Sequence, residues 1–236
     1  MRPDANSRTI FLDRDGTLIR NYHYGCDPER VSLLPGVSQA LRWLGAAGYR
    51  LIVVTNQSGV AHGYLTERDL ARMHERLRGI LAAEGVGLEA IYYCPHSPEG
   101  VNEYAGQCLC RKPEPGLFFW IASERRIALT QSWYVGDVLS DIEAGNRAGC
   151  RTVLVDVGTE PMPDSPVRTP TYVARNLPHA ARLVLATDGY DPGPVEPLSL
   201  SALDRPRLTQ GLLLPGDPSP IPDARWAIQA VLEGMQ

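Results

Sequence analysis

Ile10-Phe11-Leu12-Asp13-Arg14-Asp15-Gly16-Thr17 changes abruptly from apolar to acidic. The apolar residues read as the end of a buried strand. Asp13 stands where that strand leaves its sheet, and Gly16 turns the chain away. In open α/β sheets, ligands bind beyond the carboxyl ends of the strands. Two carboxylates there can hold a hard cation and leave one oxygen to attack an electrophile.

Downstream of residues 8–13 the pattern alternates. Residues 14–35 read as a loop and 37–47 as a helix stopped by Gly48. A second strand is predicted over 49–55. Thr66 caps a helix to about residue 84, with Glu67 and Asp69 in its first turn. A third strand over 88–93 leads into a cysteine-rich loop, 94–110. Helices over 116–126 and 139–148 flank a strand at 133–136, and a fifth strand covers 151–156. Strands alternating with helices predict an α/β fold with a doubly wound parallel sheet.

Composition shifts near residue 157, and thirteen of the 20 prolines lie between Pro161 and Pro222. A helix over 177–186 completes the main domain, residues 1–187. Residues 188–236 read as a proline-rich extension, extended or draped over the surface to 222. Asp223 is then placed to cap a short terminal helix bearing Trp226, Ile228 and Val231. This extension suits packing or dimer contact better than catalysis.

A net charge of −4 and a pI near 5.7 argue against a nucleic-acid-binding surface. No apolar run approaches the ~20 residues of a membrane span. The polar stretch 1–8 has no signal-peptide core, so a cytoplasmic protein is expected. A monomer is the favoured expectation for oligomeric state. Five cysteines in such a chain do not read as a disulfide framework.

Three of them cluster with a histidine. Cys94-Pro95-His96 and Cys108-Leu109-Cys110 are two ligand pairs within one 17-residue segment. Three thiolates and an imidazole suit a tetrahedral zinc ion with no open position. The metal is therefore expected to be structural, stapling a loop with little apolar content. His23, His62, His74 and His179 carry no ligand pattern, and His74 falls on a helix face.

Four ordered stretches resemble the motifs of the haloacid dehalogenase superfamily of phosphotransferases. They are Asp13-x-Asp15-Gly16-Thr17, the apolar run ending in Thr55-Asn56, the basic Arg111-Lys112-Pro113, and Tyr134-Val135-Gly136-Asp137 with Asp141. Lys112 is the sole lysine among 23 basic residues. With Thr55-Asn56-Gln57-Ser58-Gly59 and the Cys-His segment, the set resembles the D-glycero-D-manno-heptose 1,7-bisphosphate 7-phosphatases, and much of it is shared by histidinol-phosphate phosphatases. The likeness spans about residues 8–187. Val138 departs from it, because some heptose enzymes carry a substrate-touching lysine there.

The resemblance implies a Rossmann-like fold and a Mg²⁺-dependent phosphatase removing the 7-phosphate. Asp13 would be the nucleophile and Asp15 the acid and base. Mg²⁺ would be held by Asp13, the Asp15 carbonyl and Asp137. Thr55 and Lys112 would bind phosphoryl oxygens, and Asp141 would orient the metal site or Lys112. Arg111 is the candidate for specificity, since a guanidinium can grip a second phosphate. Asn21, Tyr22, His23, Tyr24, Asn56, Gln57 and Ser58 are candidate rim contacts. The spacings from Asp15 to Thr55 and from Thr55 to Lys112 leave no room for a large cap domain, so the Cys-His loop should form one wall of an open site. Histidinol phosphate or another small phosphomonoester is the alternative substrate. A zinc-stapled binding module is disfavoured because Asp13, Asp15, Lys112 and Asp137 are all present.

Overall fold

The computed structural model describes residues 8–21 and 27–204. Six parallel strands form one sheet: β1 (Thr9–Leu12), β2 (Arg50–Asn56), β3 (Ala90–Cys94), β4 (Trp133–Gly136), β5 (Arg151–Val155) and β6 (Tyr172–Ala174). Their spatial order is β3-β2-β1-β4-β5-β6. The chain winds outward first to one side of β1 and then to the other. The winding reverses there, which opens a crevice at the carboxyl ends of β1, β2 and β4. Leu12 lies opposite Val53 on β2 and Val135 on β4, so Asp13 emerges in the middle of the sheet.

Side chains alternate across the strands and split the core in two. Ile10 and Leu12 pack on α1 (Val37–Ala46), α2 (Glu67–Ala83) and α5 (Leu177–Thr187). Phe11, Ile52, Val54 and Tyr134 pack on α3 (Gly116–Arg125) and α4 (Leu139–Ala148). The helix signals have direct counterparts. Thr66 and Asp69 form a reciprocal capping box on α2, and Asn176 caps α5 by accepting from the His179 amide at 2.9 Å. Helix α2 turns Leu70, Met73, His74, Leu77 and Leu81 inward at helical spacing.

The sheet has one strand more than the sequence reading predicts. β6 has only three residues and follows a proline-rich loop, too short to show a period-two pattern. Beyond α5, Leu198 donates its amide to the Val173 carbonyl at 2.9 Å, forming an antiparallel bridge on the outer side of β6. Leu198, Leu200 and Leu203 pack with Leu139, Ile142, Leu154 and Val173. The terminal helix expected after Asp223 lies outside the described residues. Among the described residues, neither the β1–β2 nor the β2–β3 connection carries an inserted domain, and no helix is long and apolar enough to cross a membrane.

Candidate active site

Asp13 follows β1 directly, and its amide donates to the Val135 carbonyl at 2.9 Å. The residue is buried, at 6% exposure. Thr55 is the penultimate residue of β2, Asp137 follows β4, and Lys112 arrives from the loop before α3. The sheet thus brings together four residues scattered over the sequence. Lys112 Nζ donates to Asp13 Oδ1 at 2.6 Å and lies 2.6 Å from Asp141 Oδ1. It also donates to the Tyr134 hydroxyl at 2.8 Å. That hydroxyl is 3.1 Å from both Asp141 Oδ1 and the Val54 carbonyl. Tyr134 is a site residue that sequence reasoning missed, because an aromatic inside a buried strand reads as core.

The electrostatics call for a cation. Burial raises the Asp13 carboxyl to about 7, against the pull of Lys112, and Asp141 and Asp15 push it the same way. Burial likewise lifts Asp137 well above the carboxylate range, with Asp13 and Asp141 adding to it. Burial opposes the charge of Lys112, yet Asp13 and Asp141 hold its ammonium above the ordinary lysine value. One ammonium cannot balance three buried carboxylates. Carboxylate oxygens of Asp13, Asp137 and Asp141 lie within 4.8 Å of one another. Asp141 is engaged by Lys112, Tyr134 and the Val138 amide, which leaves Asp13 and Asp137 to face a hard divalent ion. Gly16 makes room for them: its φ is +81°, and a Cβ there would stand 2.1 Å from Asp137 Oδ2. Thr17 fixes the other oxygen, donating to Asp137 Oδ1 at 3.1 Å.

Asp15 is held differently. The Arg14 guanidinium grips it with Nε and Nη2, and Gln57 Nε2 donates to Asp15 Oδ2 at 2.8 Å. Gln57 also donates to Thr55 Oγ1 at 3.0 Å.

The expected rim residues divide. Gln57 is buried, and its amide faces protein groups instead of a rim. Asn56 clasps the Lys112 backbone: its Nδ2 donates to the Lys112 carbonyl at 3.0 Å, and its Oδ1 accepts from the Lys112 amide at 3.1 Å. Ser58 is half-buried in the turn after β2, and Asn21 is exposed. Tyr22, His23 and Tyr24 lie outside the described residues. Arg111 is half-buried, and its Nη1 donates to the His96 carbonyl at 3.1 Å, tying it to the Cys-His loop.

That loop closes on its four expected ligands. Sulfur–sulfur separations among Cys94, Cys108 and Cys110 are 3.2–3.5 Å. His96 Nδ1 lies 3.4 Å from Cys110 Sγ and 3.7 Å from Cys94 Sγ. Tetrahedral zinc with Zn–S bonds of about 2.3 Å needs ligand spacings only slightly wider. The three thiols are not in disulfides. Helix α3 begins directly beneath the loop, where a Cβ on Gly116 would meet the Leu109 carbonyl oxygen at 2.2 Å.

Comparison with known proteins agrees with this geometry. A family model described as HAD-hydrolase-like matches residues 109–180. A D-glycero-beta-D-manno-heptose-1,7-bisphosphate 7-phosphatase of Pasteurella multocida is 39% identical over 75% of this chain and 96% of its own. One from Haemophilus influenzae is 44% identical over 64% of this chain and 83% of its own. A D,D-heptose 1,7-bisphosphate phosphatase from B. bronchiseptica, solved with magnesium and phosphate, superposes with a TM-score of 0.66 at 31% identity, covering 76% of this chain and 99% of that one. A HAD-like phosphatase from Mesorhizobium loti gives a TM-score of 0.70 at 31% identity, covering 80% and 90%. With its acidic strand ends and Cys-His loop, the chain belongs to the heptose 1,7-bisphosphate 7-phosphatase family of HAD-like hydrolases.

Proposed function

We propose that the protein is a Mg²⁺-dependent phosphomonoester hydrolase that removes the 7-phosphate of D-glycero-D-manno-heptose 1,7-bisphosphate and leaves heptose 1-phosphate. The observation that carries this reading is the meeting of Asp13, Lys112, Thr55 and Asp137 at the reversal of the sheet. The names and identities of the relatives support the substrate.

Lys112 holds Asp13 Oδ1, so Oδ2 is the attacking oxygen. It forms a bond to phosphorus as the phosphorus–sugar oxygen bond breaks, giving an aspartyl phosphate. Asp15 gives its proton to the departing alkoxide oxygen. It then takes a proton from the water that attacks phosphorus, and the bond to Asp13 breaks to release phosphate. Lys112 and the Thr55 hydroxyl steady the charge on the remaining phosphoryl oxygens. Asp13, the Asp15 backbone carbonyl and Asp137 would hold Mg²⁺, which when bound screens the repulsion between nucleophile and phosphate. Asp141 sets the direction of Lys112.

Arg111, tied to the Cys-His loop through the His96 carbonyl, would read the rest of the substrate, with Asn21, Tyr22, His23, Tyr24 and Ser58 as the expected rim contacts. Zinc in Cys94, His96, Cys108 and Cys110 fixes that wall. The substrate is a small phosphorylated sugar, the setting is the cytoplasm, where such thiols stay reduced, and one chain supplies every group named.

Phosphate release with Mg²⁺ from each anomer of heptose 1,7-bisphosphate, and from histidinol phosphate, tests the reading, with Asp13→Asn as control. Preference for a heptose anomer, lost in the variant, is expected. Preference for histidinol phosphate would overturn the substrate, and turnover surviving in Asp13→Asn would overturn the mechanism.

A further inference from the structure

His74, on α2 and sixty residues from Arg14, has no place in the chemistry above. Yet it is buried at 7% exposure, and its Nε2 lies 3.1 Å from Arg14 Nη1. A guanidinium has donors only, so Nε2 must accept and the ring proton must sit on Nδ1. The ring is therefore neutral. This fits its titration, which burial, then Arg14 and Arg78, push down to about 3.

Arg14 is itself buried at 4% exposure, and it uses its other donors on the site. Nε and Nη2 reach Asp15, and Nη2 also donates to Gln57 Oε1 at 2.8 Å. Contacts on the Asp15 carboxyl are uneven. Oδ2 accepts from Arg14 Nε at 3.1 Å, from Arg14 Nη2 at 2.8 Å and from Gln57 Nε2 at 2.8 Å. Among the described residues, Oδ1 accepts a single bond, 3.1 Å from Arg14 Nη2. Oδ2 is anchored and Oδ1 is the oxygen with capacity to carry a proton.

A long arginine side chain has many rotamers, and two neighbours on one edge do not fix it. His74 supplies the contact on the opposite edge. We propose that His74 is a positioning residue: by accepting from Arg14, it locks the guanidinium that orients Asp15 for proton transfer to the leaving group. The inference rests on the phosphatase reading and deepens it.

Two leaving groups test it. A sugar alkoxide needs a proton as it departs, whereas p-nitrophenolate does not. kcat/KM reports steps through the first irreversible one, here phosphoryl transfer to Asp13. His74→Phe keeps a ring against Tyr93, whose centroid is 5.6 Å from that of His74, and removes the acceptor. We expect kcat/KM for heptose 1,7-bisphosphate to fall about 10- to 100-fold, part of the 10²–10⁴ that such proton transfer supplies. For p-nitrophenyl phosphate it should fall less than about threefold, on the same principle. His74→Gln, which restores an acceptor, should recover most of the loss, and His74→Leu repeats the test if the phenylalanine variant fails to fold. An equal fall on both substrates, or no fall on either, would overturn the inference while wild-type turnover left the phosphatase reading standing. Absence of wild-type turnover would bring down both.

Discussion

The carboxylate of Asp141 lies 2.6 Å from the ammonium of Lys112, and neither side chain is more than 3% exposed. Asp141 sits in the first turn of α4, and a Cβ on Gly136 would stand 2.2 Å from its Oδ2. The acid is therefore threaded past a glycine to reach the lysine. It pairs there with the sole lysine of the chain, whose ammonium also lies 2.6 Å from Asp13.

Asp141→Asn keeps the volume and removes the charge. Lys112 then pairs with Asp13 alone and is drawn onto the nucleophile. kcat should fall about 10- to 100-fold with KM nearly unchanged, since the lysine acts chiefly on transition-state charge. Asp141→Ala should also destabilise the fold by about 1–3 kcal/mol, because the buried Tyr134 hydroxyl and the Val138 amide lose an acceptor. Steady-state kinetics and urea unfolding check both, and wild-type kcat in Asp141→Asn would refute the orienting role.

Gly16→Ala puts a methyl group onto the Asp137 carboxylate at a φ of +81°. The hydrolysis rate should drop by about 100-fold or more, a loss on the scale of removing an electrostatic catalytic contact. Near-UV circular dichroism should stay close to wild type, because the strain falls at the strand end. Titration of activity with Mg²⁺ provides the check: an unchanged midpoint and rate would contradict the cradle.

Elemental analysis should find one zinc per chain, retained after the Mg²⁺ site has been emptied by mild chelation. Cys108→Ala should lose that zinc and melt lower by several degrees, with each kcal/mol worth about 2–4 °C in a domain of this size. The half-buried loop has little apolar packing to replace the metal. Zinc-free protein with an unaltered melting temperature would rule out the staple.

Asp188, at the carboxyl end of α5, binds the opposite end of the sheet from the active site. It accepts from the Tyr49 hydroxyl at 2.5 Å and Trp133 Nε1 at 3.3 Å, and pairs with Arg151 at 2.8 Å. Burial raises its pKa, but Tyr49, Arg151 and Trp133 outweigh that, and the carboxyl lies below its ordinary value. A depressed folded-state pKa contributes stability that is present above the unfolded value of about 3.9 and is lost as pH falls through the folded one. Asp188→Asn should cost about 1–3 kcal/mol at neutral pH. The gap between wild type and variant should close on acidification below about pH 4. A gap that is constant with pH in thermal melts would exclude the carboxylate as its source.

The sheet and its flanking helices were legible because each strand but one has enough residues for its apolar run to show, and Thr66 and Gly48 punctuate the helices. β6 was not, since Tyr172–Ala174 becomes a strand only by lying beside β5. Asp13, Lys112, Asp137 and the four zinc-type ligands announce themselves by residue type and spacing. Tyr134, Arg14 and His74 do not: each carries a neutral local reading and acquires a partner only through the fold. Asn56 and Gln57 were visible as unusual, but which way their amides face is a property of packing.

The bridge from Leu198 to Val173 has a bearing on solubility. A last strand in a sheet offers unpaired backbone groups to any other extended chain. Here Leu198 occupies the Val173 carbonyl, and Leu200 and Leu203 roof the strand from the same stretch. Proteolytic loss of the chain after residue 190 would strip that cover and leave β6 exposed. Such a fragment would keep every catalytic group named above yet present the β6 edge to its own copies, so loss of the stretch around Leu198 is expected to raise aggregation.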